Sequence, residues 1–309
     1  MIKEGMGRGV AEMTGAMVIS GTIGLLVVLS AQPVFNVVFF RCLFGAVTLL
    51  VVCAVLGLLR PDVISKRAFA LALLGGAAIV FNWVLLFASF SRASISIATA
   101  VYNTQPFMLV GLGALFLREK VTLAKLMWLV MAFAGMLLII QFEPSALSLR
   151  GAYLVGIALA LGAAFLYAVA ALVAKQLKGT PPHLIALIQV SLGIILLAPF
   201  ADFQTWPQNA FQWGNLIALG VVHTGLMYVL LYGAIQKLPT IIVGALSFIY
   251  PVVAIIVDRI AFGQHLELPQ LAGAVVILLA AAGLNLGWKL PESLSGLLPK
   301  GKPAKSESV

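Results

Sequence analysis

The chain has 309 residues, of which 62% are hydrophobic and 9% are charged, and its formal net charge is +9. Soluble globular domains contain about 25% charged residues, so the composition excludes a soluble domain and predicts an all-α polytopic membrane protein. We assign the excess of Lys and Arg to cytoplasmic loops and expect no nucleic-acid partner.

Ten apolar runs of about 20 residues, separated by polar or Gly/Pro breaks, predict ten transmembrane helices. The predicted spans are residues 11–30, 34–58, 68–90, 94–117, 122–141, 150–174, 183–201, 213–235, 240–262 and 268–289. With a cytoplasmic N-terminus, the inner segments carry fifteen Lys and Arg residues and the outer segments carry three. This bias predicts that both termini are cytoplasmic, and we expect a multi-pass protein of the bacterial inner membrane, surrounded by lipid. The polar tail at 291–309 is predicted to be disordered and cytoplasmic.

Charged and titratable groups are scarce inside the predicted spans. Arg41 lies about 10 Å from the outer end of the second span. We expect its side chain to reach outward or to pair with a group near Asp258, and binding of a substrate carboxylate is the alternative. No carboxylate is predicted at the midplane, where a proton-coupled carrier usually keeps one. His223 is the only titratable group near enough to the midplane to relay protons, and a structural histidine paired to a hydroxyl is the alternative.

The fourth span contains Pro106, which removes a backbone N–H and displaces the carbonyl of Tyr102. Pro251 follows 145 positions later, midway along the ninth span. This offset predicts two five-helix repeats, at 1–143 and 144–290. Because five spans is an odd number, the second repeat is inverted relative to the first. Inverted repeats with interrupted helices in matching places are typical of transporters, with the binding site near the midplane.

Polar and aromatic side chains near these prolines are the candidates for that site. Thr99, Tyr102 and Asn103 share one face of the fourth span with Pro106, because their spacing follows the helical repeat. Polar groups on membrane helices turn toward the bundle or a cavity, so we expect this face to point inward. The predicted substrate-binding residues are Asn82, Trp83, Thr99, Tyr102, Asn103, Tyr167, His223, Tyr228, Ser247 and Phe248, and Pro106 and Pro251 are predicted as hinge and cavity backbone. Together they suit a zwitterionic or amphipathic solute with an apolar or aromatic part. For each side chain, an interhelical hydrogen bond or packing contact is the alternative.

The chain resembles the EamA-type transporters of the drug/metabolite transporter superfamily. The matching residues are Pro106, Gly111, Glu119, Thr122 and Gly135 in the first copy, Pro251, Gly263, Gln270 and Gly273 in the second, and Arg41 in the second span. The sequence departs from the family pattern at Gln264, where a Glu is usual, and at Ala280, where a Gly would pair with Gly135. The resemblance implies a ten-helix bundle of two inverted five-helix repeats that moves small organic metabolites, often outward.

We therefore predict a secondary transporter that exports amino acids, their derivatives or related amphipathic solutes by alternating access. Import of a cofactor- or nucleotide-like metabolite is the main alternative, because a fold does not fix direction or substrate. An intramembrane enzyme is disfavoured, since no His-Glu-x-x-His, Gly-x-Ser-x-Gly or pair of midplane aspartates occurs. A channel would need a continuous polar path. We expect a small-molecule substrate, no catalytic residue, no metal and no cofactor, and homo-oligomerisation is left open.

Overall fold

The computed structural model of the chain describes residues 2–60, 62–90, 92–93, 95–141, 151–263 and 267–288. Within these ranges all regular secondary structure is helical, which confirms the all-α prediction. The predicted boundary between the repeats, at residues 143 and 144, and the predicted disordered tail at 291–309 lie outside the described residues.

In the first half of the chain the described helices begin at the N-terminus and end before residue 141. They are α1 (Ile2–Gly21), α2 (Ile23–Ser30), α3 (Val34–Val55), α4 (Lys66–Phe90), α5 (Ile95–Tyr102), α6 (Gln105–Leu117) and α7 (Leu123–Ile139). The helices of the second half are α8 (Gly151–Gln176), α9 (Pro182–Leu197), α10 (Ala210–Gly220), α11 (Met227–Lys237), α12 (Thr240–Ser247), α13 (Ile249–Phe262) and α14 (Leu268–Leu286). A 3₁₀ turn (Ala198–Phe200) follows α9, and a π-helical segment (Val221–Leu226) joins α10 to α11.

Nine helical stretches of the described chain are long and apolar enough to cross a membrane. Several of them contain two of the helices above, so that α1 with α2, α5 with α6, and α12 with α13 each form one stretch. Helix α7 is apolar but has 17 residues, which cover about 26 Å of a hydrocarbon core about 30 Å thick. A multi-pass membrane protein is therefore confirmed, and the tenth span stays a prediction.

Two spans are interrupted at equivalent positions. The break between α5 and α6 falls at Asn103 and Thr104, and the break between α12 and α13 falls at Phe248, 145 positions after Asn103. Pro106 and Pro251 lie in the first turns of α6 and α13. Proline is tolerated there because the first amide groups of a helix have no intrahelical acceptor. The paired prolines thus mark the paired helix breaks, as their spacing predicts.

Helices α7 and α14 cross at very short distance, and α7 packs more extensively against α14 than against any other helix. Glycines make this crossing possible, since a Cβ atom on Gly135 would lie 2.8 Å from the carbonyl oxygen of Gly273. A Cβ on Gly283 would lie 2.7 Å from the ring of Trp128. Small residues of this kind allow membrane helices to gain van der Waals contact in the absence of a hydrophobic driving force.

The α7–α14 crossing gives a direct stability test. Gly135→Ala should lower the free energy of unfolding by about 1–3 kcal/mol, because the added methyl group forces the two helices apart. Gly111→Ala is the matched control, since a Cβ there has no neighbour within 4 Å. It should raise stability by about 0.5–1 kcal/mol through helix propensity alone. The midpoint of thermal unfolding of the detergent-purified proteins measures both effects. A Gly135→Ala midpoint at or above that of Gly111→Ala contradicts the assignment.

Candidate functional site

A cavity of about 380 Å³ lies inside the bundle, within the size range of small-molecule sites. Its walls come from both halves of the chain. The lining residues are Met17, Ser20, Gly21, Ile23, Gly24, Leu25, Arg41, Trp83, Leu86, Thr99, Tyr102, Gln105, Tyr167, Met227, Tyr228, Leu231, Ser247, Tyr250 and Ala254. Arg41 is the only charged residue among these described lining residues, so the cavity combines one cation with largely apolar and aromatic walls.

The structure brings six of the ten predicted substrate-binding side chains to this cavity. These six are Trp83, Thr99, Tyr102, Tyr167, Tyr228 and Ser247. The other four, Asn82, Asn103, His223 and Phe248, are buried but lie outside the lining. Pro106 and Pro251 are also buried outside it. Substrate binding by any of these residues remains a prediction.

Three polar or aromatic lining residues were not predicted from the sequence. Gln105 and Tyr250 each adjoin one of the paired prolines, so the proline spacing itself was the signal that could have found them. Ser20 precedes the break between α1 and α2 at Thr22. No proline marks that break, so the sequence gives little indication of it.

Asn82 lies behind the cavity wall and supports one of its tyrosines. Its amide nitrogen donates to the carbonyl of Ala163 at 2.7 Å and to the hydroxyl of Tyr102 at 3.3 Å. The Tyr102 ring in turn packs edge-on against Tyr167, with ring centroids 6.4 Å apart. Asn82 therefore fixes the orientation of one aromatic wall without itself lining the cavity.

Asn103 connects the two helix breaks that Pro106 and Pro251 mark. Its amide nitrogen donates to the backbone carbonyl of Thr99 at 2.8 Å and approaches the hydroxyl of Tyr250 at 2.9 Å. The Tyr250 hydroxyl donates to the Asn103 side-chain oxygen at 3.0 Å. Since Asn103 lies at the break between α5 and α6 and Tyr250 lies in the first turn of α13, this pair links the two halves of the chain at the cavity. Phe248, at the break between α12 and α13, packs edge-on against Phe133 and is fully buried.

Arg41 points into the bundle, which corrects the expectation that it reaches outward. Its side chain is only 7% exposed. Nε donates to Oγ1 of Thr224 at 2.7 Å, and Nη2 donates to the carbonyl of His223 at 3.1 Å. The guanidinium carbon lies 5.1 Å from the ring centroid of Trp83 and 5.8 Å from that of Tyr228. These acceptors and ring faces replace water around the cation. The side chain of Asp258, its other expected partner, lies outside the described residues.

The π-helical segment supplies both acceptors for Arg41. Its winding is shown by the Met227 amide, which bonds to the carbonyl of Val222 five residues earlier. The hydroxyl of Thr224 donates to the carbonyl of Leu219 at 2.9 Å and is thereby turned toward α3. Helix α3 approaches closely here, because a Cβ on Gly45 would lie 2.7 Å from the Thr224 methyl group. π-Helical turns of this kind occur frequently at functional sites.

His223 fits the structural alternative. Its Nε2 lies 2.7 Å from Oγ1 of Thr22, and its Nδ1 lies 3.2 Å from the carbonyl of Ala218. A carbonyl only accepts, so Nδ1 carries a proton. The ring ties the π-helical segment to the break between α1 and α2, 201 positions away in the chain.

The comparisons with known proteins agree with this architecture. The EamA-like transporter family matches residues 8–141 and 154–286, one copy in each half, so the chain belongs to this family. It is 33% identical to the uncharacterised transporter YxxF of Bacillus subtilis over 271 residues, which cover 87% of this chain and 86% of that protein. It is 28% identical to an uncharacterised transporter of Archaeoglobus fulgidus, over 92% and 97% of the two chains. A solved crystal structure shares the fold with a TM-score of 0.80 at 17% identity, covering 91% of this chain and 97% of that one.

A second polar cluster joins the halves where α6 ends and α12 begins. One carboxylate oxygen of Glu119 accepts from the backbone amide and the hydroxyl of Thr240, at 2.8 and 2.7 Å. The other lies 2.8 Å from Nζ of Lys175, which also donates to the carbonyl of Leu238. Burial raises the pKa of Glu119, but the hydrogen bonds from Lys175 and Thr240 outweigh it and hold that pKa below its ordinary value of 4.5. An anion is also favoured at a helix N-terminus.

This cluster predicts a pH dependence of stability. Because the folded-state pKa of Glu119 is depressed, its ionised form stabilises the fold above about pH 4.5, and this contribution is lost as the pH falls through the folded-state value. Glu119→Gln should therefore lower the thermal midpoint at neutral pH, and the difference from the wild type should shrink below about pH 4.5. The exposed Asp62→Asn serves as the control. A difference that stays constant down to pH 3 would contradict the role of the Glu119 charge.

Proposed function

We propose that this EamA-like transporter is a secondary transporter that exports small organic solutes by alternating access, with the 380 Å³ cavity as its substrate site. One observation carries the proposal: residues on both sides of three helix breaks line the cavity. They are Gly21 and Ile23 at the first break, Tyr102 and Gln105 at the second, and Ser247 and Tyr250 at the third. Interrupted helices occur within a bilayer only where protein or a cavity satisfies their backbone, and transporters place substrate there.

We further propose the finer topology that the sequence predicts: ten spans, two mutually inverted repeats and cytoplasmic termini at the bacterial inner membrane. The distribution of Lys and Arg supports this orientation. In it, Glu119 and Lys175 lie at the cytoplasmic end, where their ion pair joins the two halves. In the same orientation, the cavity-lining residues Arg41 and Ala254 lie in the outer half of the membrane.

The chemistry of the lining supports an amphipathic solute. Aromatic rings and aliphatic side chains form most of the surface, which suits an apolar or aromatic body. Hydroxyl groups of Thr99, Ser247 and Tyr250 and the guanidinium of Arg41 provide the polar groups that would orient it. Amino acids and their derivatives are the solutes in which these features occur together.

Filling the cavity tests the proposal. Proteoliposomes are loaded with a defined mixture of amino acids and aromatic metabolites, and efflux is followed by mass spectrometry. Ser247→Trp should reduce protein-dependent efflux at least about tenfold, because an indole occupies the space that the solute needs. Ile260→Trp is the matched control on the neighbouring helix, at a side chain that is 79% exposed on the bundle surface.

Ala254→Phe provides a milder filling variant if Ser247→Trp fails to fold, as judged by gel filtration and thermal unfolding. If the filled variants export solute at the wild-type rate, the cavity is not part of the transport path. Wild-type protein that carries no solute of the mixture faster than protein-free liposomes would contradict the transport function.

A further inference from the structure

We infer that the solute bound in the cavity carries a carboxylate group and that Arg41 binds it. This inference rests on the proposed function, since it names the class of solute that the transporter would carry. It also assigns the π-helical segment Val221–Leu226 a role, which is to hold the binding cation in place.

Among the described residues, no carboxylate compensates the charge of Arg41. Its side chain is buried, and no described carboxylate lies within the 4.0 Å that would make an ion pair with it. A cation in a low-dielectric interior is unfavourable unless an anion or many hydrogen bonds compensate it. Because no protein anion of the described chain does so, an anion supplied from the cavity would bind favourably.

The geometry of the guanidinium leaves N–H groups that no described residue uses. Of its five N–H groups, one at Nε is directed to Thr224 and one at Nη2 to His223, and no hydrogen bond to the described protein uses the Nη1 group. Trp83 and Tyr228 lie near the group at 5.1 and 5.8 Å. Two of the N–H groups that no described residue uses can hold the two oxygens of a carboxylate in the cavity in a bidentate arrangement.

A residue of the same cavity wall, Gln105, carries a hydrogen-bond acceptor that no described residue uses. Gln105 is 4% exposed and lines the cavity, and its buried side-chain oxygen Oε1 has no hydrogen-bond partner among the described residues. A buried polar atom without a partner is costly, so rotation of the Gln105 amide toward a solute N–H or O–H group in the cavity would be favourable. Arg41 and Gln105 thus define complementary requirements: a carboxylate and a hydrogen-bond donor on one largely apolar molecule.

Thr224 is the positioning residue for this cation. Its hydroxyl accepts from Arg41 while donating to Leu219, which fixes the direction in which the guanidinium points. Removing that hydroxyl leaves the charge in place but loosens its orientation. Arg41 and Thr224 can therefore be separated experimentally, one as the binding group and the other as its support.

Matched pairs of acids and amides test the inference on the purified full-length protein. The probes are 3-phenylpropionate with 3-phenylpropionamide, and phenylalanine with phenylalaninamide. Binding is measured as the shift of the thermal midpoint and by intrinsic tryptophan fluorescence, since Trp83 lies beside Arg41. The acids should bind at least about tenfold more tightly than their amides, because only they form a charge-assisted pair with the guanidinium.

Arg41→Gln should abolish this preference, with a loss of about tenfold to a hundredfold in acid affinity and little change for the amides. Arg41→Lys keeps the positive charge but not the planar fork and should lose part of the preference, which covers the case in which Arg41→Gln does not fold. Thr224→Val should weaken acid binding several-fold while a preference over the amide remains. Arg60→Gln, at an exposed arginine, is the matched control and should bind like the wild type.

Equal binding of acid and amide, no binding of either acid, or acid affinity unchanged in both Arg41 variants would overturn the inference. Its failure can be distinguished from failure of the transport function. Cavity-dependent efflux of amines or amides without any preference for acids would retain the transporter and reject the carboxylate. Binding of acids that depends on Arg41, without efflux of any solute, would retain the binding site and reject transport.

Discussion

The guanidinium of Arg41 lies inside the helix bundle, and none of the described carboxylates neutralises it. Burying such a charge requires other groups to take the place of water. Here the π-helical segment provides a hydroxyl and a carbonyl, and two aromatic rings lie close to the cation. The π-helical winding between α10 and α11 and the close approach of α3 at Gly45 place these groups around the cation. Arg41 is in turn the only charged residue among the described residues that line the cavity.

Residues beside the helix breaks form the rest of the cavity that Arg41 lines. In a bilayer a broken helix must satisfy its exposed backbone groups from neighbouring side chains or from a cavity. The Thr99 carbonyl accepts from Asn103, and the Ile19 carbonyl accepts from the hydroxyl of Thr22. Asn103 also bonds to Tyr250 beside the break between α12 and α13, and Thr22 bonds to His223 in the π-helical segment, so each of these two breaks is tied to the other half of the chain. Membership of the EamA-like transporter family gives this arrangement its functional context.

The sequence predicted the features that depend on local chemistry and on symmetry. Proline has the same effect on any helix, so the spacing of Pro106 and Pro251 located two breaks and much of the cavity lining between them. The direction of Arg41 could not be predicted, because it depends on Thr224, 183 positions away. Similarly, the positions of Asn82 and Asn103 in apolar spans indicated that their side chains are buried. The sequence did not indicate that these side chains support tyrosines from behind the cavity wall.

We propose that the cavity opens in turn to each side of the membrane. Labelling of Ser247→Cys by a membrane-impermeant maleimide, in right-side-out and in inverted vesicles, tests it most directly. Both native cysteines are fully buried, so the wild-type protein serves as the unlabelled control. Alternating access predicts labelling from both sides and protection from both sides by a bound solute. Labelling from one side only, whatever solute is present, would contradict the account.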